Sequence, residues 1–499
     1  MTFIDASKPF IKRFTNNGYY YIYDVNTNRI IRVEKAFYDI IGDYDENDLG
    51  LIETKYKGVY EDSVITDGIG KIRDAIKTHG FFSTFRPKVV SMGIRSVEAV
   101  KKLHGTYGLN QLLLELTRQC NLNCRYCQTS GKYAPHSAMH NMTKETCKKA
   151  VDLFCARTMD VEEPAISFYG GEPLMKFDLM KEIVEYVKKT YGRNKYTFNL
   201  TTNGALLNQK IIDFFIEHDF LLMVSLDGPE HVNDRYRVTR DGKGTFHTIM
   251  KNLEFLKRYN SDYFSRKVSI SSVLAPPFDN IDDILDFFST NKILEEIRSR
   301  GSIRSSLVDT RDTTFIDDFG LEESTKEYHQ VSDTFSERLK AAILARDLST
   351  LTIEKSIMHS ILQNLSKRAI RKLHEHVQPL GACHIGLRRV FVRTNGDFYI
   401  CERAGDDYKI GCVDTGFDYE TIAGYYRKLE EVLADCRNCW AISYCDRCWA
   451  VMGDIYKFSG EDKEKFCSYQ KKIIEKAFKV YTELLREAPD CLKVFKNSE

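Results

Sequence analysis

Leu112-Leu-Leu-Glu-Leu-Thr117 runs without a break into Arg118-Gln-Cys120-Asn-Leu-Asn-Cys124-Arg-Tyr-Cys127, and the rest of the chain can be read outward from this join. The first six residues form a short, almost wholly apolar run, as a strand buried on both faces does. Further candidate strands, some apolar and some alternating apolar with polar residues, lie at 165–169, 196–201, 221–226, 268–273 and 302–308. Helical patterns fill the gaps at 144–157, 174–191, 207–218, 246–259 and 281–288, with Thr143 placed to cap the first. Six strand–helix units predict a parallel sheet closed or nearly closed into a barrel. Chemistry in such a barrel gathers at the C-terminal ends of the strands, which is where the three cysteines fall.

The 499 residues carry 72 Lys+Arg against 71 Asp+Glu, and 43% are hydrophobic. That balance excludes a disordered chain and argues against a polyanionic main partner, so no nucleic acid is expected. No apolar run approaches the ~18 residues of a membrane span, and the first residues lack the apolar core of an export signal. A cytoplasmic chain without a membrane partner is the expectation. Its 14 cysteines should then be thiols available to metals rather than disulfides.

The cysteine loop has the spacing C-x3-C-x2-C. Three thiolates are one short of the four that saturate a 4Fe–4S cluster, leaving one iron open; zinc with His136 or His140 as a further ligand is the alternative. Neighbouring strand ends are polar. Gly170-Gly171-Glu172-Pro173 pairs two glycines, which permit close approach of a ligand, with a carboxylate able to hold an ammonium group. Thr202 and Asn203 follow the third strand. Ser225 and Asp227 follow the fourth, with Asp227 placed for ribose hydroxyls, and Arg237 can meet a carboxylate. Together these ends suit an amino acid joined to a nucleoside, S-adenosylmethionine.

Here the sequence resembles the radical SAM superfamily. Its C-x3-C-x-aromatic-C signature is carried by Cys120, Cys124, Tyr126 and Cys127, and its GGEP motif by Gly170, Gly171, Glu172 and Pro173. The resemblance implies an α/β fold with a partial (β/α)6 barrel, whose cluster iron is chelated by S-adenosylmethionine and whose reaction yields a 5′-deoxyadenosyl radical. A second cysteine group, Cys383, Cys401, Cys436, Cys439, Cys445, Cys448 and Cys467, resembles the SPASM extension; a zinc ribbon is the structural alternative. The resemblance implies two auxiliary 4Fe–4S clusters, three in all. Cys436, Cys439, Cys445 and Cys467 would hold the distal one, and Cys383, Cys401 and Cys448 the proximal one, with Cys412 able to complete it. The last gap is two residues where the family usually has three. Sulfatase-maturing relatives place a catalytic Asp where this chain has Glu402, which could accept a proton. Cys147, Cys155 and Cys491 read as small buried apolar side chains.

Residues 1–105 read as a winged-helix-like module, with a hairpin over 19–33 and helices after it. Its 16 basic and 14 acidic residues leave no phosphate-tracking face. The division expected is therefore 1–105, a barrel over 106–310, a helical bridge over 311–380, and a SPASM domain over 381–499. This arrangement resembles maturases of ribosomal natural products, in which the N-terminal module, a RiPP recognition element, clamps the leader of a precursor peptide by strand addition. The resemblance implies sactipeptide- or ranthipeptide-type thioether formation, with electrons from a flavodoxin or ferredoxin. Carbon–carbon cross-linking and formylglycine formation on a sulfatase are alternatives, as are a non-enzymatic metal scaffold and a DNA-binding redox sensor.

Overall fold

The structure, a computed structural model, describes residues 7–128, 141–158, 160–192, 196–310, 313–319, 325–348, 351, 359–367 and 372–495. His136 and His140 lie outside the described residues, as does most of the basic run at 367–372. Contacts divide the chain into two units: residues 1–96 with 360–382 and 423–499, and residues 97–359 with 383–422. The four consecutive segments expected from the sequence are thus regrouped, because both ends of the chain pack together and a piece of the C-terminal region joins the barrel.

In the first unit, β1 (Ile11–Asn16), β2 (Tyr19–Asp24) and β3 (Arg29–Val33) form an antiparallel sheet in the order β1-β2-β3. β1 was not foreseen, although Asn17-Gly18 behind it is a strong hairpin signal. Both residues take positive φ, 50° and 80°, as a tight hairpin requires. Helices α1 (Lys35–Asp43), α2 (Leu49–Tyr56) and α3 (Asp62–His79) follow, and α3 ends on Gly80 in the left-handed conformation. Ile22, Ile40, Ile52 and Ile72 close the core between sheet and helices. The sheet also has an aromatic surface. Tyr23 and Phe14 pack on Phe478 of the helix Gly460–Glu487, at 4.7 and 5.9 Å between centroids, and Lys12 pairs with Glu475 at 2.7 Å. The module expected to stand apart therefore shares a core with the C-terminal helix. Among the described residues β3 pairs only with β2. β4 (Val89–Val90) pairs with a later two-residue strand, His376–Val377, within the same unit.

In the second unit, β5 (Gln111–Thr117), β6 (Ala165–Gly170), β7 (Thr197–Thr202), β8 (Leu221–Ser225), β9 (Val268–Leu274) and β10 (Ile303–Leu307) lie side by side in chain order, every neighbouring pair parallel. Each agrees with its sequence expectation to within a residue or so: β5, β6 and β8 are mainly apolar, and β7 and β9 alternate buried apolar with less buried polar residues. Thr143 caps its helix, its side chain accepting from Thr146 N–H. The sheet does not close on itself. After β11 (His376–Val377), β12 (Val390–Val392) pairs in parallel with β5, and β13 (Asp397–Tyr399), β14 (Lys409–Cys412) and β15 (Gly416–Phe417) continue antiparallel, giving ten strands. No helix of the described residues is long and apolar enough to cross a membrane.

Asp24, at the end of β2, is fully buried. Burial pushes its carboxyl up to about 6, although Thr27 Oγ1 donates to it at 2.5 Å, and its Oδ1 has no partner. The folded state therefore holds this proton more tightly than the unfolded chain. The stabilisation is present at low pH and is lost as the pH rises through about 6. In urea titrations of the full chain, wild type should lose about 1 kcal/mol more between pH 5 and pH 7.5 than Asp24→Asn does. Equal slopes would show that Asp24 is not the group responsible.

Candidate active site

The cysteine loop leaves the C-terminal end of β5 and is held from two sides. On one side is the turn after β6. Gly171 N–H donates to the Thr117 carbonyl at 2.8 Å and Glu172 N–H to the Gln119 carbonyl at 2.9 Å. A Cβ on Gly170 would stand 2.2 Å from the Thr117 oxygen, and one on Gly171 2.2 Å from the Gln119 oxygen. The two glycines are thus required by contact between two chain segments, and both also line the cavity that the cysteines share. On the other side, Asn123 N–H donates to the Val238 carbonyl and Arg125 N–H to the Tyr236 carbonyl, both at 2.8 Å. Arg240 Nη2 donates to the Cys120 carbonyl at 2.7 Å.

Glu172 is completely buried. Its Oε1 accepts from Leu174 N–H at 3.0 Å and Thr202 Oγ1 at 2.7 Å, and its Oε2 from Asn203 N–H at 2.8 Å. The carboxylate joins the ends of β6 and β7, with Pro173 opening the short turn behind it, and Glu172 also lines the cavity that the cysteines share. Asp227 is also engaged by the chain. Its Oδ2 accepts from Tyr126 O–H at 2.6 Å and its Oδ1 from Val273 N–H at 3.0 Å. Arg237 donates from Nη1 to Tyr126 Oη at 2.8 Å and stands 3.8 Å from Asp227 Oδ1, while its buried Nε has no partner. Tyr126 is thus fixed by a buried Asp–Tyr–Arg chain, and burial raises its phenol well above the ordinary value.

Cys120, Cys124 and Cys127 line one cavity of about 640 Å³, together with Tyr126, Gly170, Gly171, Glu172, Thr202, Asn203, Ser225 and Arg237. Burial pushes the thiols of Cys120 and Cys124 up to about 11 and about 12. A cation entering must displace their protons, as thiolate–metal binding does. Asn203 Nδ2 lies 3.7 Å from Cys120 Sγ. Three thiols on one loop, facing a cavity with Arg237 in its wall, suit a three-thiolate iron–sulfur group with an anionic ligand beside it.

Part of the lining comes from the segment that extends the sheet beyond β5, including the turn between β13 and β14. Glu402 lies there, its two oxygens accepting from Arg389 Nη1 at 2.7 and 2.9 Å. Further lining residues not singled out from the sequence are Phe391 and Arg393, on and beside β12, and Glu115, Arg118 and Tyr169, on β5, just after it and on β6. Tyr169 meets Phe391 edge to face at 5.9 Å, and burial raises its phenol. Glu115, an ionisable group inside an apolar strand, was a legible signal; Phe391 and Arg393 arrive from a segment far along the chain and had none.

The second cysteine group is divided between the two units. Cys436, Cys439, Cys445 and Cys467 line a single cavity in the first unit, where burial pushes the Cys445 thiol up to about 12. Four thiols around one cavity have the donor chemistry of a saturated cluster. Cys448 lies in the same unit, at the start of the short helix Trp449–Met452. Cys383, Cys401 and Cys412 belong to the second unit. Cys383 Sγ accepts from Arg388 at 3.4 Å, and Thr415 Oγ1, 3.1 Å from Cys412 Sγ, lowers that thiol from its usual range. Among the described residues no three His, Cys, Asp or Glu side chains are arranged to hold a single metal ion. Cys147, Cys155 and Cys491 are buried.

An α/β sheet of six consecutive parallel strands with a three-cysteine loop at its C-terminal edge defines the class, and residues 114–290 match the family model described as the Radical SAM superfamily. The chain carries a radical SAM domain. Its sequence is 32% identical over 164 residues to a cysteine-type anaerobic sulfatase-maturating enzyme of Clostridium novyi, covering 31% of this chain and 42% of that one. It is 25% identical over 261 residues to the radical SAM cyclopropyl synthase TigE of Paramaledivibacter caminithermalis, covering 50% and 51%. An uncharacterized protein of Methanocaldococcus jannaschii is 35% identical over 153 residues, covering 31% and 50%. The chain spans about half the length of the curated relatives it matches. In fold it is similar to native anSMEcpe with bound AdoMet, with a TM-score of 0.56 at 18% identity over 78% of this chain and 100% of that one.

Gly171→Ala should cost about 1–3 kcal/mol, because the Gln119 carbonyl must move, and should reduce the iron bound per chain after anaerobic reconstitution. Gly105→Ala, in a helix with open space at its Cβ, is the control and should leave both unchanged. Equal iron content in the two variants would refute the clamp.

Proposed function

We propose that this chain is a radical SAM enzyme that modifies a ribosomally made precursor peptide, most specifically by joining a cysteine sulfur to a carbon of another residue. The observation that carries the reading is the convergence of Cys120, Cys124 and Cys127 with Tyr126, Asn203, Ser225 and Arg237 on one cavity at the strand ends. When bound there, a 4Fe–4S cluster with S-adenosylmethionine supplies one-electron cleavage to a 5′-deoxyadenosyl radical, which removes hydrogen from a C–H bond. The protein's part is to bind, orient and exclude side reactions. Arg237 presents an unpartnered N–H for a carboxylate, and the Asp227–Tyr126–Arg237 chain keeps the loop in one position. Glu402 lines the same cavity as an acceptor for the thiol proton released when the product bond forms, and the electron released with it would pass to an iron–sulfur group.

The peptide would enter through its leader. β3 offers an edge on which an extended segment can form backbone hydrogen bonds. Cys436, Cys439, Cys445 and Cys467 would hold one auxiliary cluster, and Cys383, Cys401, Cys448 and Cys412 would be the ligands of a second. A flavodoxin or ferredoxin in the cytoplasm would supply electrons. Maturation of a sulfatase is the second reading, favoured by the identity to anaerobic sulfatase-maturating enzymes of Clostridium novyi and Bacteroides thetaiotaomicron, 32% in each case.

Cys124→Ala should abolish formation of 5′-deoxyadenosine by the reconstituted, reduced protein. Cys439→Ala should keep part of that cleavage but stop modification. Co-expression with short Cys-containing reading frames from beside the gene should yield a peptide lighter by two hydrogens per cross-link, weighed by mass spectrometry. Unmodified peptides together with a converted sulfatase cysteine or serine would establish the second reading, and absence of 5′-deoxyadenosine from wild type would refute both.

A further inference from the structure

Arg447 is only 1% exposed and is among the largest fully buried side chains of the protein. It lies in the wall of the cavity lined by Cys436, Cys439, Cys445 and Cys467. Its Nη1 donates to the carbonyls of Ile442 and Cys445 and its Nη2 to that of Ile442, each at 3.3 Å. Its Nε is buried without a partner. Among the described residues no carboxylate pairs with it. Two further cations, Lys463 and Lys471, line the same cavity, and no acidic residue does. Lys463 is engaged by Asp435 at 3.2 Å.

A guanidinium cannot shed its proton to escape burial. A buried cation without a counter-charge is strongly unfavourable, and peptide carbonyls compensate it only in part. The arrangement makes physical sense when the cavity holds an anion. Four thiolates around an iron–sulfur core carry net negative charge, and each electron taken up makes the group more negative. A fixed cation in the wall therefore favours the reduced form.

We propose that Arg447 is the built-in counter-charge of a four-thiolate iron–sulfur group in this cavity and holds its reduction potential up. This rests on the reading of Cys436, Cys439, Cys445 and Cys467 as cluster ligands. Arg447 acts through the group beside it and is not a catalytic residue.

The test is an EPR-monitored redox titration of the full chain in which Cys120, Cys124 and Cys127 are changed to Ala, so that only auxiliary signals remain. The relevant signal is the one lost on adding Cys439→Ala. Arg447→Gln should make reduction roughly tenfold less favourable, about 59 mV lower for one electron. Arg447→Lys, which keeps the charge, should stay close to the parent value. An unchanged potential in Arg447→Gln overturns the proposal. If Arg447→Gln does not fold, Arg447→Lys decides: the parent potential supports the proposal, and a tenfold loss despite the retained charge refutes it. Zinc, or no metal, bound in a Cys439-dependent manner would overturn the cluster reading beneath it.

Discussion

Two backbone hydrogen bonds, from Gly171 to the Thr117 carbonyl and from Glu172 to the Gln119 carbonyl, fasten the turn after the second barrel strand to the root of the cysteine loop. The segments meet so closely that any Cβ at Gly170 or Gly171 would collide with a carbonyl oxygen. Everything at the strand ends follows from that contact. It brings the Glu172 carboxylate beneath the loop, where it collects Leu174, Thr202 and Asn203 and so ties the third strand to the second. Asn203, held in this way, approaches Cys120. The motif works as a fastening, and its Gly170, Gly171 and Glu172 line the same cavity as the three cysteines.

Buried charge is managed differently at the two cysteine sites. At the barrel, Arg237 faces Asp227 and Tyr126, so the cation has partners within the chain and its Nε–H is left for an occupant. In the four-cysteine cavity, Arg447 has carbonyls alone. A low-polarity interior does not tolerate such a cation for the sake of stability, so its presence speaks to what the cavity contains. The cavity therefore carries information about the sign of its occupant's charge, which is negative for four thiolates on zinc as on an iron–sulfur core.

The two ends of the chain form one core. Tyr23 and Phe14 on the N-terminal sheet need an apolar cover, and Phe478 of the last long helix supplies it, with Asn16 Nδ2 donating to the Lys479 carbonyl at 2.8 Å. That helix also carries Cys467, a wall residue of the four-cysteine cavity. The sheet proposed to receive a leader peptide and the cavity proposed to hold a cluster thus share one structural element, within one unit.

The six barrel strands, their order and the position of the first cysteine loop were legible in the sequence, because strand-like segments alternating with helical ones and C-x3-C-x2-C spacing are local patterns. The Asn17-Gly18 hairpin was legible too, and was passed over. The chain partners of Glu172 and Asp227 were not legible, since they depend on which N–H groups the fold brings within about 3 Å of a carboxylate. Nor were the distant residues lining the barrel cavity or the isolation of Arg447. Phe391 and Arg393 reach the site only because β12 pairs with β5, and a charge is unpaired only with respect to neighbours that distant segments supply. Local chemistry is written in the order of residues; compensation between charges and contacts is decided when the chain closes on itself.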